Sequence, residues 1–397
     1  MLEPYLTFGM PNAYHDSMIE RPFWTQRIQS AWTTRPIVWL AGVRRAGKTT
    51  LARMLPGATY LNCDLPSVER ALEDPEMFYR SQKPGTIVVL DEVHRLPDPS
   101  RALKIAADHF PKLRILATGS STLAATRKFR DTLTGRKVVL LLPPVLWTEC
   151  QDAFAITDLD RRLLHGGLPE HLLDLNKDDD SFAEWMDSFY ARDIQELFGI
   201  RERTGFLNLF RLMLRQSGGL VDYSALSREC DLSRHTVKAH LEAMAVACAL
   251  HIIPPFHAGG RSELVRRPKA YGFDTGYVCF ARGWNGIRDD DRGVLWEHLV
   301  ADTLRTATRG TGLSYWREKS GREVDFVVRK RSEVHAVECK VNPDRFDPKS
   351  LAAFRSLYPK GRNYVVCPSV DTAYDRRAAG MTVRIAGCGD VLRELGA

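Results

Sequence analysis

The chain is poor in the features that would place it at once. Its 397 residues include only eight cysteines (Cys63, Cys150, Cys230, Cys248, Cys279, Cys339, Cys367 and Cys388), and no two form a C-x-x-C pair. That scatter excludes a disulfide frame or a zinc ribbon and points to reduced thiols. No stretch approaches the roughly 20 apolar residues that span a bilayer, so no membrane partner is expected. Residues 1–16 include Glu3, His15 and Asp16 and lack the apolar core of a secretory leader, so a cytoplasmic protein is expected. There is no internal repeat and no long low-complexity run. Apolar residues make up 44% and charged residues 26%, which excludes disordered and fibrous classes. Basic residues outnumber acidic ones by 56 to 49. A surplus of seven says little until its location is known. At about 150 residues per domain, the length fits two or three domains.

Three regions differ in character. Residues 1–150 alternate short apolar runs with helical segments. The runs are Ile37–Leu40, Thr59–Asn62, Ile87–Leu90, Arg114–Ala117 and Val138–Leu141. Apolar runs of this length suit strands buried on both faces, as in a parallel sheet, and their alternation with helices predicts an α/β layered domain. Residues 151–285 read as mostly helical, with the acidic run Lys177–Asp180 as a linker or loop. Residues 286–397 return to mixed α/β.

Gly42-Val43-Arg44-Arg45-Ala46-Gly47-Lys48-Thr49 follows the first apolar run and fits G-x-x-x-x-G-K-[ST]. The glycines let backbone amides curl round phosphate oxygens, and the helix that follows aims its positive end at the same anion. Gly42, Arg45, Ala46, Gly47, Lys48, Thr49 and Thr50 are therefore the candidate nucleotide contacts. Lys48 would reach the β- and γ-phosphates, and the Thr49 hydroxyl would bind Mg²⁺. About 40 residues on, Ile87-Val88-Val89-Leu90 ends in Asp91-Glu92. Asp91 can hold the Mg²⁺ shell, and Glu92 can polarise a water for attack on the γ-phosphate.

With the segment Ala117-Thr118-Gly119-Ser120-Ser121, residues 35–145 resemble an ATPase core of the AAA type. That resemblance implies ATP and Mg²⁺ as cofactors and a polar sensor at Thr118 or Ser120. Many such ATPases carry Asn there, so which hydroxyl serves stays open. The resemblance also implies an arginine that reaches the nucleotide of a neighbouring subunit. Arg136, before the fifth run, is the candidate, with Arg127 and Arg130 as alternatives. An arginine acting in trans implies a homo-oligomer, for instance a hexamer.

In the middle region, Ser233 is a good N-cap, and Val237, Leu241 and Met244 make one apolar stripe. Arg234, His235, Thr236 and Lys238 lie toward the other side. This segment resembles a winged helix-turn-helix, which implies DNA contact through Arg234, His235 and Lys238. Arg261, Arg266, Arg267 and Lys269 would form a basic wing. Residues 201–270 hold 11 Lys/Arg against 6 Asp/Glu, so most of the chain's positive surplus lies here. Gly166–Glu170 and Tyr190–Ile194 look like family signatures without a chemistry of their own.

In the last region Glu297 sits in a helical segment, Asp325 in an apolar run, and Glu338-Cys339-Lys340 begins thirteen residues later. Alternation along a strand puts Glu338 and Lys340 on one face. Asp325 and Glu338 on adjacent strands would make a hard oxygen site for Mg²⁺ or Mn²⁺. Lys340 would position or deprotonate the attacking water, and Glu297 would add a direct or outer ligand. The pattern resembles the restriction-endonuclease-like D…E-x-K superfamily.

The order of parts is similar to a large prokaryotic family. Its members join an AAA-type P-loop ATPase core to a helical winged-helix region and a C-terminal α/β nuclease-like domain. The expectation is an ATP-hydrolysing, DNA-binding oligomer that remodels DNA by strand separation or branch migration. The rivals are a metal-dependent endonuclease gated by ATP and a nucleotide-dependent signalling switch.

Overall fold

The computed structural model describes residues 18–119, 132–257 and 267–396. The chain divides into two compact units: Met1–Leu142 with Asp152–Ala155, and Pro143–Gln151 with Ile156–Ala397. Among the described residues no helix is long and apolar enough to cross a membrane.

The first unit is built on five strands: β1 (Ile37–Ala41), β2 (Thr59–Asn62), β3 (Ile87–Asp91), β4 (Arg114–Thr118) and β5 (Lys137–Leu141). They lie in the order β2-β3-β4-β1-β5, every neighbouring pair parallel. Each of the five apolar runs read from the sequence is one of these strands. Every residue of β1 is buried, which is why its sequence is continuously apolar rather than alternating. The carboxyl ends of β1, β3 and β4 lie side by side, the edge at which sheets of this kind bind ligands.

The second unit has two sheets. In chain order, a helix at Arg203–Arg215 leads to β6 (Gly219–Leu220). Helices at Tyr223–Glu229 and Arg234–Val246 follow, then β7 (Leu250–Ile253) and β8 (Lys269–Gly272). The strands pair antiparallel in the order β6-β8-β7. Asp222 and Ser233 cap the second and third helices by accepting backbone amides. Val237, Leu241 and Met244 are buried, as the stripe predicts.

The long helix Asp289–Ala307 then leads into six strands: β9 (Leu313–Arg317), β10 (Glu323–Lys330), β11 (Glu333–Cys339), β12 (Asn363–Val366), β13 (Tyr374–Ala378) and β14 (Met381–Ala386). Their order is β13-β14-β12-β11-β10-β9, with β11, β12 and β14 parallel. Between Val324 and Val327, β10 carries one residue more than β9 opposite it. This bulge spans Asp325 and Phe326.

Two expectations change. Only half of the acidic run is loop: Lys177 and Asp178 precede a helix that takes in Asp179 and Asp180. Asp178 accepts the Asp180 amide as N-cap, and Asp179 opens a helix running to Phe189. Carboxylates there complement the helix dipole instead of merely being solvated. The segment Gly166–Glu170 gains a structural role. Gly166 has φ +81°, and a Cβ there would lie 1.9 Å from Asp274 Oδ1. The Gly167 amide donates to Asp274 Oδ2 at 2.6 Å, and its carbonyl accepts from the Val145 amide. Buried Arg162 ties this knot, donating twice to the Val145 carbonyl and once to Thr275 Oγ1. Tyr190–Gln195 forms a π-helical turn in which the Tyr190 hydroxyl donates to the Ile200 carbonyl.

Candidate functional site

The glycine-rich loop leaves β1 and closes onto the helix Lys48–Arg53. A Cβ on Gly42 would lie 2.3 Å from the Leu142 carbonyl oxygen, so only glycine fits beside that strand. Gly47 has φ +92°, a conformation that glycine adopts without strain. Arg45 also turns left-handed, at φ +62°, and is exposed. Ala46 is buried; its amide donates to the Val43 carbonyl and its own carbonyl accepts from Arg21 Nη1 at 3.0 Å. Lys48 Nζ donates to the carbonyls of Gly42 and Val43, both at 2.9 Å, which keeps the ammonium inside the loop's curl. Thr50 is the third residue of the helix, half-buried.

Asp91 ends β3 beside this loop. Its Oδ1 accepts from Thr49 Oγ1 at 3.3 Å and from Thr118 Oγ1, and its Oδ2 accepts from Tyr60 at 2.5 Å. Thr49 and Asp91 thus bring hard oxygen atoms together at the loop's mouth, a donor set that fits Mg²⁺. Glu92 follows in a left-handed conformation, φ 54° and ψ 42°. Its amide donates to Thr118 Oγ1 at 3.0 Å, and its carboxylate meets His94 Nδ1 at 3.2 Å. Burial pushes the Glu92 carboxyl up from its ordinary value, against the pull of Lys48. A carboxylate so raised is better suited to take a proton from water.

Thr118, one of the two sensor candidates, touches both acidic residues. Ser120, Arg127 and Arg130 lie outside the described residues. Arg136 forms a two-pronged ion pair with Asp108, Nε to Oδ1 at 2.6 Å and Nη2 to Oδ2 at 3.1 Å. Two residues escaped the sequence reading. Arg21 braces the loop through the Ala46 carbonyl, and Tyr60, stacked under the Arg53 guanidinium at 5.0 Å, donates to Asp91. Neither belongs to a local pattern. Tyr60 reaches Asp91 because β2 pairs with β3, a fact of register.

In the second unit, Arg234, His235 and Lys238 are exposed on the helix Arg234–Val246. Arg267 is exposed and pairs with Asp222 at 2.9 Å. Arg261 and Arg266 lie outside the described residues. The expectation for Lys269 is overturned. It is 4% exposed, on β8, and its ammonium meets Glu297 Oε1 at 3.0 Å and Glu323 Oε1 at 2.5 Å. The sequence put it at the end of a basic stretch, but the strand turns its side chain inward.

The C-terminal residues converge. Lys340 Nζ donates to Glu338 Oε2 at 2.9 Å and lies 3.6 Å from Asp325 Oδ2, which also accepts the Cys339 amide at 2.7 Å. Glu338 is 5% exposed, and among the described residues its Oε1 has no hydrogen-bond partner. Burial, then Asp325, pushes its carboxyl up. Glu297 accepts from Lys269 and from the Tyr271 hydroxyl. Among the described residues no three His, Cys, Asp or Glu side chains form a metal-holding group. The oxygen donors Asp325 and Glu338 are a pair, with Glu297 engaged elsewhere.

Residues 34–151 match the family described as AAA domain. Residues 156–288 and 292–383 match two domains of unknown function, DUF8612 and DUF4143. An uncharacterized protein of Mycobacterium bovis is 28% identical over 337 residues, covering 81% of this chain and 74% of its own. One from Mycobacterium tuberculosis matches to the same extent. Among solved structures, a Walker-type ATPase of Pyrococcus abyssi is similar over 67% of this chain and 97% of its own, with a TM-score of 0.42 and 15% identity. RuvB of Thermotoga maritima is similar over 59% and 90%, with a TM-score of 0.29 and 15% identity. The matched family and the five-stranded parallel sheet with its phosphate loop give an AAA-type P-loop ATPase core.

Proposed function

We propose that this protein is an ATP-hydrolysing, DNA-binding oligomer that remodels DNA. The observation that carries it is the meeting of Lys48, Thr49, Asp91, Glu92 and Thr118 at the carboxyl edge of one sheet. The loop amides and Lys48 would bind the phosphates. Thr49 and Asp91 would hold Mg²⁺, which when bound offsets charge on the phosphates. Thr118 fixes the backbone of Glu92, and Glu92 takes the proton of the attacking water. Arg136 would leave Asp108 to reach a neighbouring subunit's nucleotide.

DNA binding is supported by the order helix–strand–helix–helix–strand–strand over residues 203–272, the order of a winged helix, and by the exposed Arg234, His235 and Lys238 on its third helix. Basic side chains there would meet phosphates and base edges. Turnover of ATP between subunits would then drive strand separation or branch migration.

The test pairs nucleotide and DNA binding. Lys48→Ala should lose ATP hydrolysis, and the wild type should shift one of duplex, single-stranded, forked or four-way DNA in a manner that depends on a non-hydrolysable ATP analogue. Mixing Arg136→Ala with Lys48→Ala subunits should restore hydrolysis if the arginine acts in trans. Failure of the wild type to bind either nucleotide or DNA refutes the proposal.

A second reading has an observation of its own. Glu338 Oε1 is buried beside Asp325 and Lys340 and has no hydrogen-bond partner among the described residues. Orphaned buried oxygens are rare and costly, and a divalent ion would relieve this one. The two carboxylates fit such an ion, and Lys340 would orient the water that attacks a phosphodiester. Cleavage of DNA in Mg²⁺ or Mn²⁺ that is lost in Asp325→Ala and Lys340→Ala would support this activity.

A further inference from the structure

Glu92 is held at two points. Thr118 Oγ1 accepts its amide, which fixes the backbone, and His94 Nδ1 lies 3.2 Å from its Oε2, which fixes the carboxylate. The fold prepares the second contact from several sides. His94 is the middle residue of a short 3₁₀ turn, Val93–Arg95, and both of its neighbours are anchored. Val93 is fully buried in the hydrophobic core. Arg95 pairs through Nε with Asp64 Oδ1 at 3.1 Å, and its amide donates to the Glu92 carbonyl at 2.9 Å. Gly119, just past β4, completes the seat. A Cβ there would lie 3.3 Å from His94 Nδ1, 3.6 Å from the His94 amide nitrogen and 3.2 Å from Trp39 Cη2. Glycine at this position therefore leaves the imidazole room to stand beside the Glu92 carboxylate.

Chemistry sets the direction of this bond. A carboxylate that acts as a base is ionised, and an ionised carboxylate only accepts hydrogen bonds. Nδ1 therefore carries a proton and donates it to Oε2. That holds for the neutral Nδ1–H tautomer and for the imidazolium alike, so the contact survives either state of the ring. With Oε2 engaged, Oε1 is the oxygen left to meet a water. A base works only within hydrogen-bond reach of the proton it takes, about 2.6–3.2 Å. A glutamate side chain turns about three torsions, so an unheld carboxylate would spend much of its time outside that reach.

We propose that His94 is a positioning residue for ATP hydrolysis: it pins one oxygen of the Glu92 carboxylate so that the other is aimed at the attacking water. This rests on the reading of Glu92 as the general base. The imidazole acts through Glu92, so its removal should appear in kcat and not in nucleotide affinity.

Steady-state hydrolysis, and binding of a fluorescent non-hydrolysable ATP analogue, are measured on the full-length protein and on His94→Leu, His94→Asn, His94→Gln and Glu92→Gln variants. His94→Leu should lower kcat roughly 10- to 100-fold, the worth of a hydrogen bond to a charged group, with analogue affinity unchanged. His94→Asn, whose amide N–H stands where Nδ1 does, should recover most of that loss. His94→Gln, whose amide reaches the Nε2 position instead, should not. In the Glu92→Gln background, His94→Leu should lower the residual rate no further, because the group it acts through is already gone. Wild-type kcat in His94→Leu beside a severely impaired Glu92→Gln overturns the proposal and leaves the base standing. So does a loss that appears in analogue affinity instead of kcat. Equal losses in the Asn and Gln variants also overturn it, and that comparison decides the matter if His94→Leu does not fold. A Glu92→Gln protein that hydrolyses ATP at the wild-type rate refutes the base itself, and the proposal with it.

Discussion

Replacing Thr118 by valine tests the arrangement of the nucleotide site most directly. Thr118 is fully buried at the end of β4; its hydroxyl donates to Asp91 Oδ1 and accepts the Glu92 amide. Valine has nearly the same shape, so the change removes the hydroxyl and leaves no cavity, although it is not a neutral swap. Asp91 keeps donors from Thr49 and Tyr60. The Glu92 amide loses the acceptor that holds it, and an unsatisfied buried amide costs about 1–3 kcal/mol. Glu92 is also in a left-handed conformation, which costs a non-glycine residue about 1–2 kcal/mol. Thr118 is one of the contacts that hold this conformation, beside the His94 contact and the Arg95 amide on the Glu92 carbonyl, so without its acceptor the backbone should relax and carry the carboxylate away from its position. The folded state should lose about 1–3 kcal/mol, or roughly 3–12 °C in the melting of the first unit. A displaced general base costs on the order of 10²-fold in rate, so kcat should fall that far while ATP affinity changes little. Thr118→Ser, which keeps the hydroxyl, should recover most of both. A Thr118→Val variant with wild-type kcat and an unchanged melting temperature refutes the assigned role.

Other perturbations probe the second unit. Arg234→Ala and Lys238→Ala should each weaken binding to every DNA sequence alike and lower the slope of log K against log salt by about 0.9, measured by fluorescence anisotropy. Arg162→Ala strips three hydrogen bonds from a residue 1% exposed and leaves the Val145 carbonyl short of donors. It should cost about 3 kcal/mol or more by urea unfolding, and Arg162→Lys, lacking the fork, should restore less than half of that. Burial, then the charge of Arg162, pushes His298 down to about 3, from an ordinary 6.5. The unfolded chain then binds a proton that the folded chain refuses. Stability present above pH 6.5 is lost as the pH falls toward 3, by up to about 1.4 kcal/mol per unit. His298→Phe should flatten the melting temperature between pH 6.5 and pH 4, and an unchanged acid slope would sink this account.

What could be read from the sequence differs by kind of residue. The strands of the first unit were legible because burial on both faces writes itself as unbroken apolar runs such as Ile37–Leu40. The phosphate loop was legible because its geometry demands glycine at fixed spacing and its chemistry demands Lys48 and Thr49. Strand alternation put Glu338 and Lys340 on one face, whereas Asp325 was joined to them through the resemblance to the D…E-x-K pattern. Lys177–Asp180 was legible only in part, its second half being helical, because acidic residues serve equally in a solvated loop and in the first turn of a helix.

Local pattern, then, determined which residues form the glycine-rich loop, which strands carry the acids and which helix face is apolar, because each is fixed by neighbours a few positions away. Partners distant in the chain were decided only by the fold. Tyr60 meets Asp91 through the register of β2 on β3, and Arg21 meets the Ala46 carbonyl across 25 residues. Lys269 is a basic residue in a basic stretch until β8 turns it toward Glu297 and Glu323. A side chain's charge is set by its own chemistry, but whether it faces water or a buried carboxylate depends on which strand lies beside it. That choice is made by the packing of the whole unit.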